Sequence, residues 1–204
     1  MMLDSYLRPL IDRPLNAASS VLVKYGLTAN IMTGFGFGFA LAAFAALGFQ
    51  SYGAALLFIG LNRLMDGLDG PVARQTQISD IGGYFDIVND FIFYAGAIFF
   101  FAVGRPETAL AAAFLIFSFM GTASSFLAYA VIAAKRGLHH ETQNKKSFAY
   151  LKGITEGTET IILLVLICLI PGWFIWIAYI FGALCWLTTL GRVMQARCDF
   201  YDPA

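Results

Sequence analysis

Residues 53–74 read GAALLFIGLNRLMDGLDGPVAR, an apolar run that ends in two acids and an arginine. The run is long enough to cross a bilayer, since a helical span needs roughly 20 mostly apolar residues. Asp66 and Asp69 lie three residues apart at its edge. A helix therefore presents both carboxylates on one face, where a membrane protein has to give them a partner.

The composition of the whole chain is that of an integral membrane protein. It has 204 residues, of which 59% are hydrophobic and 13% charged, and its mean hydropathy is +0.71. So few charges leave no room for a separate soluble domain, and we expect no nucleic-acid partner. The sequence predicts one all-α membrane domain over residues 1–204.

Six apolar runs predict six transmembrane helices that form one bundle over residues 29–194. Their approximate limits are 29–49, 53–74, 81–103, 107–134, 153–171 and 173–194. Residues 1–27 alternate apolar and charged side chains at near-helical spacing, which predicts a juxtamembrane amphipathic helix on the cytoplasmic surface. Pro9 and Pro14 leave an irregular basic arm as the alternative.

The positive charges predict the orientation of this bundle. Of the 13 Lys and Arg residues, only Arg105 falls on the side of the membrane opposite the N-terminus. Lys and Arg are enriched in cytoplasmic loops. Both termini and the DGLDGPVAR segment are therefore expected to face the cytoplasm.

A second pair of acids follows on the next predicted helix. Gly82, Asp86 and Asp90 are spaced four residues apart and share one helix face. Because the two helices are joined by a short turn, we expect Asp66, Asp69, Asp86 and Asp90 to converge. Four carboxylates at a low-dielectric edge repel one another, and each unpaired charge costs several kcal/mol.

A cation has to hold such a cluster together. Arg63 and Arg74 can neutralise part of it, and a purely structural ion-pair cluster is the alternative. Hard oxygen ligands in this number suit Mg²⁺ or Mn²⁺, in the form of one or two ions, which commonly share their sites with substrate phosphates. The sequence thus favours a phosphate or diphosphate substrate that resides at a membrane.

The same residues resemble the signature of the CDP-alcohol phosphotransferase family, membrane enzymes of phospholipid biosynthesis. The matching positions are Asp66, Asp69, Gly70, Ala73, Arg74, Gly82, Asp86 and Asp90. The spacer between Arg74 and Gly82 holds seven residues, where the family pattern is closer to eight. The resemblance extends over the six-helix layout and is strongest to bacterial inner-membrane members.

The resemblance implies a role for each position. Asp66, Asp69, Asp86 and Asp90 would bind two Mg²⁺ or Mn²⁺ ions, and Asp90 would also act as the catalytic base. The CDP-binding residues would be Asn30, Thr33, Asp66, Asp69, Gly70, Ala73, Arg74 and Gly82. Ala29 stands where the family often has proline before the asparagine.

Further acids lie near the start of the fifth predicted helix. Glu156 and Glu159 inside a span are costly unless they are used, so together with Lys152 they are candidates for the acceptor pocket. Ion pairing of the glutamates with Arg192 or Lys152 is the equal alternative. The neighbouring lysines suit a phosphorylated acceptor, whereas the glutamates suit a neutral alcohol or an amine.

These inferences together predict a transferase. The family resemblance implies that it would move a phosphatidyl group from a CDP-alcohol, with CDP-diacylglycerol as the favoured donor, to a small polar alcohol and release CMP. A CDP-aminoalcohol:diacylglycerol phosphotransferase is the alternative within the family, and a divalent-cation transporter is the alternative from another class. The family resemblance also implies a homodimer in the bacterial inner membrane.

Overall fold

The structure is a computed structural model that describes residues 4–137 and 153–201, with side chains described from residue 14 onward. Within these ranges the chain is all-helical and contains no strand. The helices are α1 (Asp4–Lys24), α2 (Ala29–Gly48), α3 (Tyr52–Gln75), α4 (Asp80–Gly104), α5 (Ala109–Lys135), α6 (Gly157–Leu169) and α7 (Phe174–Phe200). The all-α prediction is confirmed.

Most predicted helix limits agree closely with the structure. Helices α2, α3 and α4 begin and end within about one residue of their predicted limits, because short turns fix their ends. Helix α7 continues past residue 194 to Phe200. Near the N-terminus, α1 is a continuous helix through Pro9 and Pro14, so the irregular arm is not what the structure shows.

The fifth predicted span, 153–171, is longer than the helix that the structure shows there. Helix α6 has 13 residues, Gly157–Leu169, because Glu156 caps its first turn and residues 153–156 are not helical. At about 1.5 Å per residue it is roughly 20 Å long, short of the ~30 Å hydrocarbon thickness. Among the described residues, four helical stretches are long and apolar enough to cross a membrane; they correspond to α2, α4, α5 and α7.

Helix α2 packs against both α3 and α4, while α5 packs against α7 and α4 joins the two groups. Large side chains fill the centre: Phe101 and Phe174 are fully buried, and their rings stack at 4.2 Å. Small residues allow the close approaches. A side chain on Gly96 of α4 would overlap the ring of Phe44 on α2.

Two further contacts, one within the bundle and one at the end opposite the acidic motif, hold the α2, α3 and α4 group together. The Asn62 side chain of α3 is buried and donates a 2.8 Å hydrogen bond to the Gly36 carbonyl of α2. At the opposite end, Gln50 donates to the carbonyl of Gly104 at 2.6 Å. Helices α2, α3 and α4 are therefore held side by side, with the four aspartates of the motif near one end.

Candidate metal and substrate site

The structure brings three of the four predicted metal ligands together. Asp66 and Asp69 lie on α3 and Asp86 on α4, and one carboxylate oxygen from each residue lies within 4.8 Å of the others. All three residues are partly buried. Oxygens at this separation can converge on one divalent cation, which needs several hard oxygen ligands at about 2.0–2.6 Å.

Asp90 lies in the same cleft and makes the shorter of the two ion pairs with Arg63. Among the described residues, the group of close carboxylates contains Asp66, Asp69 and Asp86, and Asp90 stands outside it. Its Oδ1 accepts a 2.8 Å hydrogen bond from a terminal nitrogen of Arg63. The geometry thus distinguishes Asp90 from the other three acids, and its predicted role as the base stays a prediction.

Arg63 is the centre of a polar network that joins α3 to α4. Its guanidinium also pairs with Asp66 at 3.4 Å and bonds the Tyr94 hydroxyl at 3.0 Å. Its Nε donates to the Asn62 Oδ1 at 2.8 Å, and the guanidinium lies 4.4 Å from the centroid of the Phe93 ring. The structure therefore shows Arg63 as the ion-pair partner that the sequence suggested, with a fixed planar orientation.

The cleft itself is lined by residues of α2, α3 and α4. The lining residues are Thr33, Gly36, Phe37, Ala40, Asn62, Arg63, Asp66, Asp69, Asp86, Asn89 and Asp90. Four carboxylates and one guanidinium leave three uncompensated acids among these side chains. The residues present thus fit a divalent cation, since their oxygens are hard ligands and their charge is in excess.

Asn62 and Asn89 also line this cleft, and sequence reasoning missed them. Asn62 lies one helical turn before Asp66, and Asn89 directly precedes Asp90. The four-residue spacing between Asn62 and Asp66 was the available signal, because it places both on one helix face.

The residues predicted near the nucleotide divide into two groups. Thr33 lines the cleft and donates a 3.4 Å hydrogen bond to Asp69. Asn30, one turn earlier, is exposed, and its Oδ1 lies 3.7 Å from the position that a Cβ on Gly82 would take. Both side chains are thus next to the acidic motif, one inside the cleft and one at its edge.

Gly70, Ala73, Arg74 and Gly82 lie outside the cleft lining, towards the ends of α3 and α4. Gly82 has a local structural reason: its N–H donates to Ser79, the N-cap of α4, and a Cβ would come within 2.9 Å of that hydroxyl. A Cβ on Gly70 would lie 3.4 Å from the exposed Arg74 guanidinium. This end of the helices therefore offers an open surface with one cation beside small residues.

Glu156 and Glu159 form the N-terminal cap of α6. The Glu156 side chain accepts from the backbone of the third helical residue, and Glu159 accepts from the Glu156 N–H at 3.1 Å. The carboxylate of Glu156 also acts electrostatically on Arg192, which is buried and donates to the Thr122 carbonyl at 2.8 Å. Helix capping was a use of the two glutamates that sequence reasoning missed, although an acid three residues after a cap is its known signature. Lys152 lies outside the described residues.

Comparison with known proteins agrees with this geometry. The protein-family model for CDP-alcohol phosphatidyltransferase matches residues 26–188, a stretch that contains the whole acidic motif. The chain belongs to the CDP-alcohol phosphatidyltransferase family. Members of this family are transferases of phosphate-containing groups, so this membrane protein is an enzyme of that class.

Two curated relatives and one solved structure show how far the similarity extends. The chain is 52% identical to the inner membrane protein YnjF of Escherichia coli over 94% of each chain. It is 28% identical to the archaetidylinositol phosphate synthase of Pyrococcus horikoshii over 95% of this chain and 96% of that one. The fold matches the Mycobacterium tuberculosis phosphatidylinositol phosphate synthase PgsA1, solved with CDP-DAG bound, with a TM-score of 0.74 and 14% identity, over 94% of this chain and 99% of that one.

Proposed function

We propose that this enzyme transfers a phosphatidyl group from a CDP-alcohol, CDP-diacylglycerol, to an acceptor alcohol and releases CMP. The observation that carries the proposal is the convergence of Asp66, Asp69 and Asp86 within 4.8 Å beside Asp90. The name of PgsA1, which was solved with CDP-DAG bound, supports a CDP-linked lipid donor. The name of the Pyrococcus relative supports a place in phospholipid synthesis.

Asp66, Asp69 and Asp86 would hold the metal, with Asp90 facing it from the Arg63 side of the cleft. The metal would be Mg²⁺ or Mn²⁺, with two ions bound, because these cations suit carboxylate ligands and a diphosphate substrate. When bound, the metal supplies positive charge that offsets the negative charge of the diphosphate.

Asp90 would take the proton of the acceptor hydroxyl. The acceptor oxygen forms a bond to the phosphorus that carries the diacylglycerol, the bond from that phosphorus to the bridging oxygen breaks, and CMP leaves with the electron pair. Arg63, at 2.8 Å from Asp90, holds this carboxylate in one orientation until the acceptor arrives. A base fixed within hydrogen-bond reach contributes about 10²–10⁴-fold to such a step.

The nucleotide would bind at the open end of α2, α3 and α4. Asn30 and Thr33 offer polar side chains there, and Gly70, Ala73 and Gly82 leave room for the diphosphate to approach the backbone. Arg74 is exposed at the same end and would pair with a phosphate oxygen.

The acceptor pocket would lie towards α6, with Glu156, Glu159 and Lys152 as its candidates. Glu156 and Glu159 already cap α6, so their acceptor role would be secondary to that structural one. The acceptor is a small polar alcohol, phosphorylated or neutral. It is identified by measuring the release of CMP from CDP-diacylglycerol in the presence of glycerol phosphate, inositol phosphate, inositol, serine or choline in turn.

In the membrane we propose that α2 to α7 form a six-helix bundle with the site and both termini on the cytoplasmic side. Helix α3 would cross despite its charges, because Asn62, Arg63, Asp66 and Asp69 line the cleft, and Arg74 and Gln75 lie at the end of the helix. Helix α1 would lie at the surface of the bacterial inner membrane, and two copies of the chain would form a homodimer. The name of the Escherichia coli relative supports the inner-membrane location.

Purified protein in detergent, supplied with Mn²⁺, CDP-diacylglycerol and the acceptor panel, tests the proposal. The wild type is expected to release CMP with one acceptor, and Asp90→Asn is expected to lower that rate by at least ~10²-fold. Asp80→Asn is the matched control, since Asp80 is an exposed acid at the start of the same helix. If CMP is released only from a CDP-aminoalcohol in the presence of diacylglycerol, the donor is the CDP-aminoalcohol and not CDP-diacylglycerol. Uptake of Mn²⁺ into proteoliposomes, with no CMP release from any donor, would contradict the proposed transfer reaction and favour a divalent-cation transporter.

A further inference from the structure

The turn of α3 that carries Asp66 and Asp69 has a low intrinsic helix propensity. Gly67 and Gly70 lie within this turn, and Pro71 follows. Glycine costs about 1 kcal/mol relative to alanine in a helix interior, and proline has no N–H to bond the carbonyl four residues earlier, here that of Gly67. The segment that spaces the two carboxylates therefore needs support from outside its own helix.

Helix α1 lies against this turn. A Cβ on Gly67 would lie 3.2 Å from Leu15 Cδ1, so the Leu15 side chain is seated on the glycine between the two acids. The absence of a side chain at Gly67 is what permits this approach. The Leu15 side chain thus packs over Gly67, between the two acids.

A second contact fixes α1 near the end of α3. The Gln75 side chain donates a 2.7 Å hydrogen bond to the Ser19 hydroxyl and accepts one of 3.0 Å from Ser20. Ser19 is fully buried. The two contacts lie on either side of Pro71. Helix α1 therefore packs along the turn of α3 that carries the acids and supports it from outside.

We propose that α1 positions the metal-binding turn, with Leu15 of α1 and Gln75 of α3 as the positioning residues. The inference rests on the proposed function, because it takes Asp66 and Asp69 as metal ligands. Neither Leu15 nor Gln75 would touch metal or substrate. Their effect is to keep the two carboxylates at the separation that the ion requires, which lowers the cost of ordering the site when the metal binds.

Mn²⁺ binding to the purified full chain, without nucleotide or lipid substrate, tests this inference. The free-Mn²⁺ electron paramagnetic resonance signal gives the dissociation constant, and thermal unfolding in chelator gives the stability of the metal-free protein. We expect Leu15→Ala to raise the dissociation constant about 5- to 10-fold. Leu15→Met, which refills the contact, should return it to within about twofold of wild type. Val21→Ala is the matched control on the same helix, because Val21 is 52% exposed.

Gln75→Ala is the second variant, since it removes only the polar contact and leaves the Leu15 packing in place. It is expected to raise the dissociation constant about threefold. Unchanged Mn²⁺ affinity in both variants, with lower unfolding temperatures, would make α1 a purely structural helix and overturn the inference. A wild-type chain that binds no Mn²⁺ would overturn the metal site itself, and with it the proposed function. The two failures are therefore distinguishable.

Discussion

Replacing Arg63 by methionine tests the electrostatic account of the cleft. The substitution keeps an unbranched apolar stem and removes the guanidinium that pairs with Asp90 at 2.8 Å and Asp66 at 3.4 Å. Without a metal ion, the four aspartates of the cleft then face one another with no cation among the lining side chains. The protein should become less stable, and the loss should depend on metal.

The magnitude follows from the exposure of the ion pair. The Arg63 side chain is 12% exposed and the two carboxylates 33% and 35%, so the pair lies between the buried and the surface limits. Removing one partner costs about 3–5 kcal/mol in a buried pair and about 0.2–1 kcal/mol at a surface. We expect about 2–3 kcal/mol for Arg63→Met, which corresponds to a fall of about 5–10 °C in the unfolding temperature for a chain of this size.

The assay is thermal unfolding in detergent, in chelator and again in saturating Mn²⁺. The deficit should shrink to less than ~1 kcal/mol in Mn²⁺, because the ion supplies the positive charge that the arginine no longer provides. Lys135→Met is the matched control, since it removes a cation from the exposed end of α5 and should change neither curve by more than about 1 °C. Equal deficits with and without Mn²⁺, or no deficit in chelator, would refute the reasoning.

Three further substitutions test the fold around the site. Gly96→Ala should lower stability by about 1–3 kcal/mol because the new methyl group displaces the buried Phe44 ring, and wild-type thermal stability would contradict that packing. Glu159→Ala should cost about 1 kcal/mol through loss of the α6 cap, measured as a lower unfolding temperature; an unchanged melt with lost CMP release would instead assign it to the acceptor pocket. Phe174→Ala should cost about 2 kcal/mol, less than the ~3–5 kcal/mol typical of water-soluble cores because the alternative surroundings are lipid, and a melt equal to wild type would argue against the stacked core.

Much of the site could be predicted from the spacing of its acids. Three- and four-residue intervals place Asp66 with Asp69, and Asp86 with Asp90, because helix periodicity is local and nearly invariant. The short turn between the two helices then makes them neighbours. The structure confirms the convergence of three of these carboxylates and places the fourth in the same cleft.

The partners of polar groups were less predictable. Glu156 and Glu159 were interpreted through the cost of burying charge, while the structure uses them to cap α6. The same pair of acids can cap a helix, pair with a cation or bind a ligand. Which of these they do depends on where the helix begins. Since α6 begins at Gly157, inside the predicted span, the two acids lie at the cap and in the first turn of a shorter helix.

Local patterns were sufficient for the helical class and for the limits of α2, α3 and α4, because apolar run length is a property of neighbouring residues, and the acid spacing carried the family resemblance. Three contacts depend instead on how the helices pack: Arg63 pairs with Asp90, Asn62 lines the cleft, and Leu15 of α1 packs on Gly67. The Arg63–Asp90 contact joins residues 27 positions apart, and Leu15 and Gly67 lie still farther apart in the chain. The formation of these contacts depends on how close two helix backbones can approach, which the packing of the whole bundle sets.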